Sequence, residues 1–206
     1  MTPPAVSPFV FVGNHRALDF VNTEVAVEGA PRDLLTGFPE LLHWLVQAGA
    51  LDRASARRAG RRWGSGRSAA AVLESARTLR RALHRIAEAA SAGRHVPAAA
   101  LEPVNHLLAR GATASRIVPT ADGFAASRSA RLDAPEDLLV PVAEAAADLL
   151  CHADLGRIRR CAHPSCVLYF LDGTKNGTRR WCDMRTCGNR VNAAAYYRRH
   201  RDVPPS

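Results

Sequence analysis

The sequence has almost no lysine: of its 28 Lys and Arg residues, only Lys175 is a lysine. Arginine bias of this kind is compositional, so the number of arginines alone does not point to nucleic acid. Long apolar runs are also missing. No stretch approaches the roughly 18 consecutive apolar residues of a membrane helix, which excludes that mode of membrane insertion. The opening residues MTPPAVSPFVFVGNHR contain no basic stretch followed by an apolar one. No secretory signal is expected, and the chain reads as cytoplasmic. There is no internal repeat and no low-complexity linker. Cysteine is scarce, at 5 of 206 residues, but four of the five fall close together near the C-terminus.

What is present is unevenly distributed. A hydrophobic fraction of 47% is enough for one domain of ordinary size with a small appendage. Residues 1–156 hold 17 basic and 16 acidic residues, whereas residues 157–206 hold 11 basic and 3 acidic. Nearly all of the net charge of +9 therefore lies in the cysteine-bearing quarter, which is the footprint of a polyanion-binding surface.

The first three quarters read as α-rich. The Phe- and Val-rich segment from Phe9 to Thr23, broken at Gly13-Asn14, predicts short extended pieces or a strand leading into a helix. Helices are expected over Pro39–Leu51 and over Asp52–Trp63, the latter with Asp52 as N-cap. The longest, Ser68–Ala92, carries Val72, Ala76, Leu79, Leu83, Ile86 and Ala90 as one apolar stripe, with Arg77, Arg80, Arg81 and Arg85 mostly off it. The stripe suits core packing better than a coiled-coil seam. Another helix is expected over Pro97–Ala109. A β-hairpin follows over Ser115–Ser127, turning at Ala121-Asp122-Gly123. The last helix of this part, Glu136–His152, either kinks or begins at Pro141. Cys151, in ADLLCHADL, reads as a buried core residue. His15, Asp19, Asn22 and His43 have no nucleophile–base spacing, so structural hydrogen bonds are the simpler reading for them, and no enzymatic activity is expected. The fold class is α+β, predominantly α, with a boundary near residue 155.

The four clustered cysteines, Cys161, Cys166, Cys182 and Cys187, follow C-x4-C-x15-C-x4-C. Two close pairs joined by a short loop can bring four thiolates to the corners of a tetrahedron around one structural Zn²⁺. Two disulfides would be the alternative, but paired thiols in a reducing compartment more often hold metal. The segment is short and polar, so metal binding would supply folding energy that a core cannot. Four sulfur donors leave His163 and His200 no place at the metal, and leave no open position for catalysis. Around the cysteines lie a β-type run, Val167–Leu171, a basic loop, Lys175–Arg180, and a basic helix beginning near Arg190. On that helix Asn189, Asn192, Tyr196 and Arg199 share one face, suited to base edges and phosphates. Arg160, Arg180 and Arg190 could instead offset the charge of a thiolate cluster. Gly188 suits either a positive φ or a close approach.

The C-terminal segment resembles the CGNR zinc-finger family. The resemblance rests on the tetrapeptide Cys187-Gly188-Asn189-Arg190, the first C-x4-C, the aromatic run ending at Asp172, the stretch from Lys175-Asn176 to Arg179-Arg180-Trp181-Cys182, and the basic final helix. It covers about 45 residues. One departure is Val191-Asn192-Ala193-Ala194-Ala195, where family members often carry a basic residue. The region before it resembles the ABATE domain, whose N-terminal signature is matched by Leu18-Asp19-Phe20-Val21-Asn22-Thr23. The resemblance implies an ABATE-like domain over residues 1–155 and a four-cysteine zinc finger over 156–202. It also implies a stress-responsive bacterial transcription regulator with a nucleic-acid-binding finger. From the basic loop and the final helix, the residues expected to contact DNA are Lys175, Arg179, Arg180, Arg190, Asn192, Tyr196 and Arg199. The N-terminal domain would then sense a small ligand or mediate assembly. So small a finger suggests a dimer or a partner protein for specific binding. An RNA-binding module and a protein–protein adaptor are the other readings.

Overall fold

A computed structural model describes residues 8–27, 29–111, 113–120, 123–130 and 132–200. In chain order the elements are α1 (Arg16–Val21), β1 (Glu24–Val27), β2 (Ala30–Asp33), α2 (Phe38–Gln47), α3 (Arg53–Trp63), α4 (Gly66–Ser91), α5 (Glu102–Leu108), β3 (Thr113–Thr120), β4 (Gly123–Ala130), α6 (Val140–His152), β5 (Ile158–Arg160), β6 (Tyr169–Leu171) and α7 (Asn189–His200). The β component consists of three antiparallel pairs, β1–β2, β3–β4 and β5–β6. The fold is α+β and predominantly helical.

Local sequence cues set the helix ends. Asp52 caps α3 by accepting the Ser55 amide at 2.8 Å, satisfying one of the donors a helix start leaves open. Gly49 and Gly93, each at φ 65°, close α2 and α4 in the left-handed conformation that glycine adopts without a Cβ clash. Pro141 lies in the first turn of α6, where its missing N–H costs nothing. A 3-10 turn over Pro135–Leu139 leads into it, so the helix begins at this proline rather than kinking. Pro119 of β3 pairs with Phe124 of β4. Both strands of a two-stranded ribbon are edges, and a proline is tolerated there. The Ala121-Asp122 part of the expected turn lies outside the described residues.

The long α4 organises the core. Val72, Ala76, Leu79, Leu83, Ile86 and Ala90 are all buried, against Phe20, Trp44, Leu45, Val142, Ala146 and Leu149 among others. The stripe is therefore used within the chain. In this region one arginine beside the stripe is buried, and one expectation, a buried Cys151, fails. Arg80 is only 6% exposed: it reaches β2, where its guanidinium grips both oxygens of Asp33 at 2.6 and 2.8 Å and also donates to Thr23 Oγ1 at 3.1 Å. Arg77 joins at 3.3 Å. These contacts hold the Asp33 carboxyl below its ordinary range, against the opposing effect of burial, and they clamp the β1–β2 hairpin to α4. The hairpin escaped the sequence reading because its strands are mostly exposed and show no apolar alternation. Cys151 is exposed rather than buried. The buried residues of α6 are Val140, Val142, Ala143, Ala145, Ala146 and Leu149, and two residues beyond Leu149 the helix has turned about 200° away from it.

The C-terminal segment packs into this body. Ile158 of β5 and Tyr169 of β6 are buried in the same core as the helices. Asn22, 1% exposed, acts as a surrogate strand beside β6. Its side-chain amide donates to the Tyr169 carbonyl and its oxygen accepts the Tyr169 amide, both at 2.9 Å. The Leu171 amide donates to the Gly13 carbonyl at 2.8 Å. Among the described residues, no helix is long and apolar enough to cross a membrane.

Candidate metal centre

Each C-x4-C pair closes on a local turn. After Cys161 the chain turns through Pro164, and the Cys166 amide donates to the His163 carbonyl at 2.9 Å. After Cys182 the Asp183 carboxylate caps a five-residue helical turn, Met184–Gly188, by accepting the amides of Arg185 at 2.6 Å and Thr186 at 3.3 Å. The two knuckles are stitched together by the Ala162 amide donating to the Arg180 carbonyl at 2.8 Å, and by the Cys182 amide donating to the Cys161 sulfur at 3.4 Å.

The result is one sulfur cluster. The Sγ atoms of Cys161, Cys166, Cys182 and Cys187 all lie within 4.8 Å of one another. Cys182 is 3.6 Å from Cys187 and 3.8 Å from Cys166. With Zn–S bonds of about 2.3 Å, a tetrahedron has an edge of about 3.8 Å; a disulfide would need about 2.0 Å. The spacing fits four thiolates on one metal ion, and all five cysteines are unpaired. The electrostatics agree. The Cys161 thiol is held far below its usual range by hydrogen bonds from Cys166 and Cys182, while the bond to Cys161 pushes Cys166 up to about 12 and pushes Cys182 up as well. A cation at the centre would offset the mutual repulsion of thiolates held this close. The donor set suits zinc, which would serve here as a structural ion closed by four sulfurs.

Support around the cluster comes from Asp172 and Arg179. Asp172 is fully buried. Its carboxylate accepts the Thr174 amide at 2.9 Å and hydroxyl at 2.6 Å on one oxygen, and the Arg179 amide at 2.9 Å on the other. The Arg179 guanidinium lies 4.0 Å from the Phe170 ring centroid and donates to the carbonyls of Val12 and Trp181, at 2.9 and 3.1 Å, and to that of Cys182. It ties the N-terminal segment to the second knuckle.

The residues assigned to nucleic acid divide accordingly. Lys175, Arg180, Arg190, Asn192 and Tyr196 are exposed. Arg179 faces inward, so a polyanion would have to break its carbonyl contacts. The Arg199 side chain lies outside the described residues. Tyr196 is 53% exposed, with its ring stacked on His200 at 4.0 Å between centroids. Asn189 donates to the Arg185 carbonyl at 3.3 Å. Gly188 does not have a positive φ; it is buried, and a Cβ there would run into the Met184 sulfur. His163 lies outside the sulfur cluster and accepts the Ser165 amide at 3.2 Å. In the helical region, His15 caps α1 and meets Asp148 at 3.2 Å, His43 meets Gln47 at 2.9 Å, and Asp19 accepts the Gly13 amide at 2.7 Å. The sequence reading did not find the joining roles of Asn22, Asp172 and Arg179. For Asn22 the structural hydrogen bonds expected from the sequence are present, but their partner, Tyr169, was not legible.

The comparisons with known proteins follow the same division. The ABATE family, described as "Putative stress-induced transcription regulator", matches residues 14–153. The CGNR zinc finger matches residues 157–200. No curated protein matches the chain significantly. With about two thirds of its length matched by the first family and its four cysteines gathered within the match to the second, the chain belongs to the ABATE family and carries a C-terminal CGNR zinc finger.

Proposed function

We propose that the chain is a cytoplasmic, one-component transcription regulator of a bacterial stress response. Its zinc finger would bind DNA, and its helical domain would sense a small ligand or mediate assembly. The metal is structural in this reading and the chain catalyses nothing. The observation that carries the proposal is the pairing of α7 with the charge excess. Residues 157–206 hold 11 basic and 3 acidic residues, and α7 continues directly from the Cys187 knuckle. Among the described elements its substantial contacts are with the Met184–Gly188 turn. A helix of 12 residues is about 18 Å long and marginal on its own in water. One anchored at a single end, bearing exposed Arg190 and Asn192, is suited to the major groove of a duplex. Lys175 and Arg180 lie on the loop before the second knuckle and would meet phosphate.

The test is fluorescence anisotropy of the zinc-loaded protein with labelled duplex DNA at several salt concentrations. Affinity should fall steeply with salt, with a slope of about −0.9 per phosphate contacted. Lys175→Ala and Arg180→Ala should each flatten it by about one contact. A salt-independent affinity, or no binding to any nucleic acid, defeats the proposal and leaves the protein–protein adaptor. Exposure of Tyr196 favours a second reading, base stacking on single-stranded RNA. In competition, an RNA single strand that displaces the duplex, and loses that ability in Tyr196→Ala, would replace DNA with RNA.

A further inference from the structure

A cleft of about 540 Å³ opens beside the metal centre, between the N-terminal segment and the finger. One wall is Val10, Val12 and Val25, all partly buried and packed against the cluster. Leu168, Cys166, Cys182 and Cys187 line the cleft as well. The volume is that of a small-molecule site, and apolar walls with a few polar groups are the usual composition of one.

The charges on the cleft narrow the choice of ligand. Asp183 and Arg190, of opposite sign, line it together with His163, Ser165 and Thr186. Four thiolates on one divalent ion leave a formal charge of about −2 on the cluster, so an anion is repelled. Arg190 stands against a cation. The sulfurs differ in their hydrogen bonds. Cys161 accepts the Cys182 amide, whereas among the described residues the sulfurs of Cys182 and Cys187 meet only other cysteine sulfurs. Thiolate ligands of a metal are ordinarily supported by outer hydrogen-bond donors, and Cys182 and Cys187 both line the cleft.

We infer that this cleft binds a small uncharged apolar molecule carrying one N–H or O–H donor, with the apolar part between Val10, Val12, Val25 and Leu168 and the donor directed at the Cys182 and Cys187 sulfurs. The inference rests on the proposal that the N-terminal domain senses a ligand, and it gives that ligand a site and a chemistry. Arg190 of α7 lines the same cleft, so occupancy acts where the finger's final helix begins.

The experiment is a fluorescence titration of the zinc-loaded full chain, without nucleic acid, with N-phenyl-1-naphthylamine, an uncharged apolar probe bearing one N–H. Saturation at one probe per chain is expected. Filling the cleft with Val10→Trp should abolish it while elemental analysis shows zinc retained; Ala26→Phe is the second filling variant should the first lose zinc. The sulfonated analogue, 8-anilinonaphthalene-1-sulfonate, should bind the same site about ten-fold more weakly, because its charge approaches the thiolates. The N-methylated probe, lacking the donor, should bind about five-fold more weakly, the worth of one ordinary hydrogen bond. Binding that survives both filling variants overturns the site. Equal affinity for the sulfonate overturns the uncharged class, and equal affinity for the N-methylated probe overturns the donor. Since DNA is absent, these outcomes are independent of whether the finger binds nucleic acid.

Discussion

The helical body and the zinc finger solve the same problem with different physics. The body buries large apolar side chains completely, among them Trp44, Phe20, Leu35, Leu41, Leu79 and Leu149. The finger's own cluster contains five buried residues, and three of them, Cys161, Cys182 and Cys187, are metal donors; Leu168 and Phe170 are the others. Apolar burial scales with area and tolerates partial loss. A four-donor metal site is far less divisible, because removing one thiolate opens the tetrahedron and strands the remaining charge. The body should therefore weaken gradually under mutation, and the finger should fail all at once.

The largest expected effect tests the finger's half of that contrast. Structural zinc in small domains contributes about 10–16 kcal/mol of apparent binding free energy, most of it folding energy. Cys182→Ser should lose the metal and unfold residues 158–200, while α4 keeps slow amide exchange. Elemental analysis with hydrogen-exchange mass spectrometry reads both. Full zinc retention in this variant would break the four-thiolate account.

The reciprocal perturbation belongs to the body. Leu79→Ala removes a fully buried side chain from the middle of α4 and should cost about 2–5 kcal/mol, measured by urea unfolding. Zinc content should stay at one per chain. Loss of zinc at that position, with the body still folded, would mean that the metal site depends on core packing much more than the sulfur geometry implies.

This difference also explains what was legible in the sequence. A metal site is written in residue type and spacing, so C-x4-C-x15-C-x4-C disclosed the ligands directly. The α4 stripe was legible because helical burial has a period. The β1–β2 hairpin was not, because it is fixed by Arg80 and Asp33, 47 residues apart, and no local pattern announces a long-range ion pair. Cys151 was misread because apolar neighbours along the chain need not be neighbours on a helix face. Arg179 resembled any other arginine in a basic loop; only the carbonyls of Val12, Trp181 and Cys182 around it give it an inward role. The joint between the two regions was invisible for the same reason, since Asn22 meets Tyr169 across 147 positions.

That joint is the next place to press. Asn22→Ala leaves the buried amide and carbonyl of Tyr169 without partners, which should cost about 1–3 kcal/mol for each group left unsatisfied. If body and finger form one cooperative unit, the variant should lower stability and speed exchange of the Tyr169 amide while zinc is retained. If they are independent, unfolding of the body will be unchanged.

The smallest effect concerns Asp19, at the same joint. Burial raises its carboxyl from 3.8 to about 6, against the lowering effect of the Gly13 amide bond. The folded chain therefore holds this proton more tightly than the unfolded chain does. Below about pH 4 both states are protonated and the contribution is fully present. As pH rises towards 6 the unfolded state ionises first, and that stability is lost. Asp19→Asn keeps an oxygen for the Gly13 amide and cannot ionise. The variant's unfolding free energy relative to wild type should therefore grow between pH 4 and pH 7 by about 1–2 kcal/mol, a figure already reduced for the solvent that still reaches the group. Metal release by acid affects both proteins and cancels in the difference. A flat difference would mean that water enters the joint between Gly13 and α1, and that body and finger meet across a wetter boundary than the Asn22–Tyr169 bonds imply.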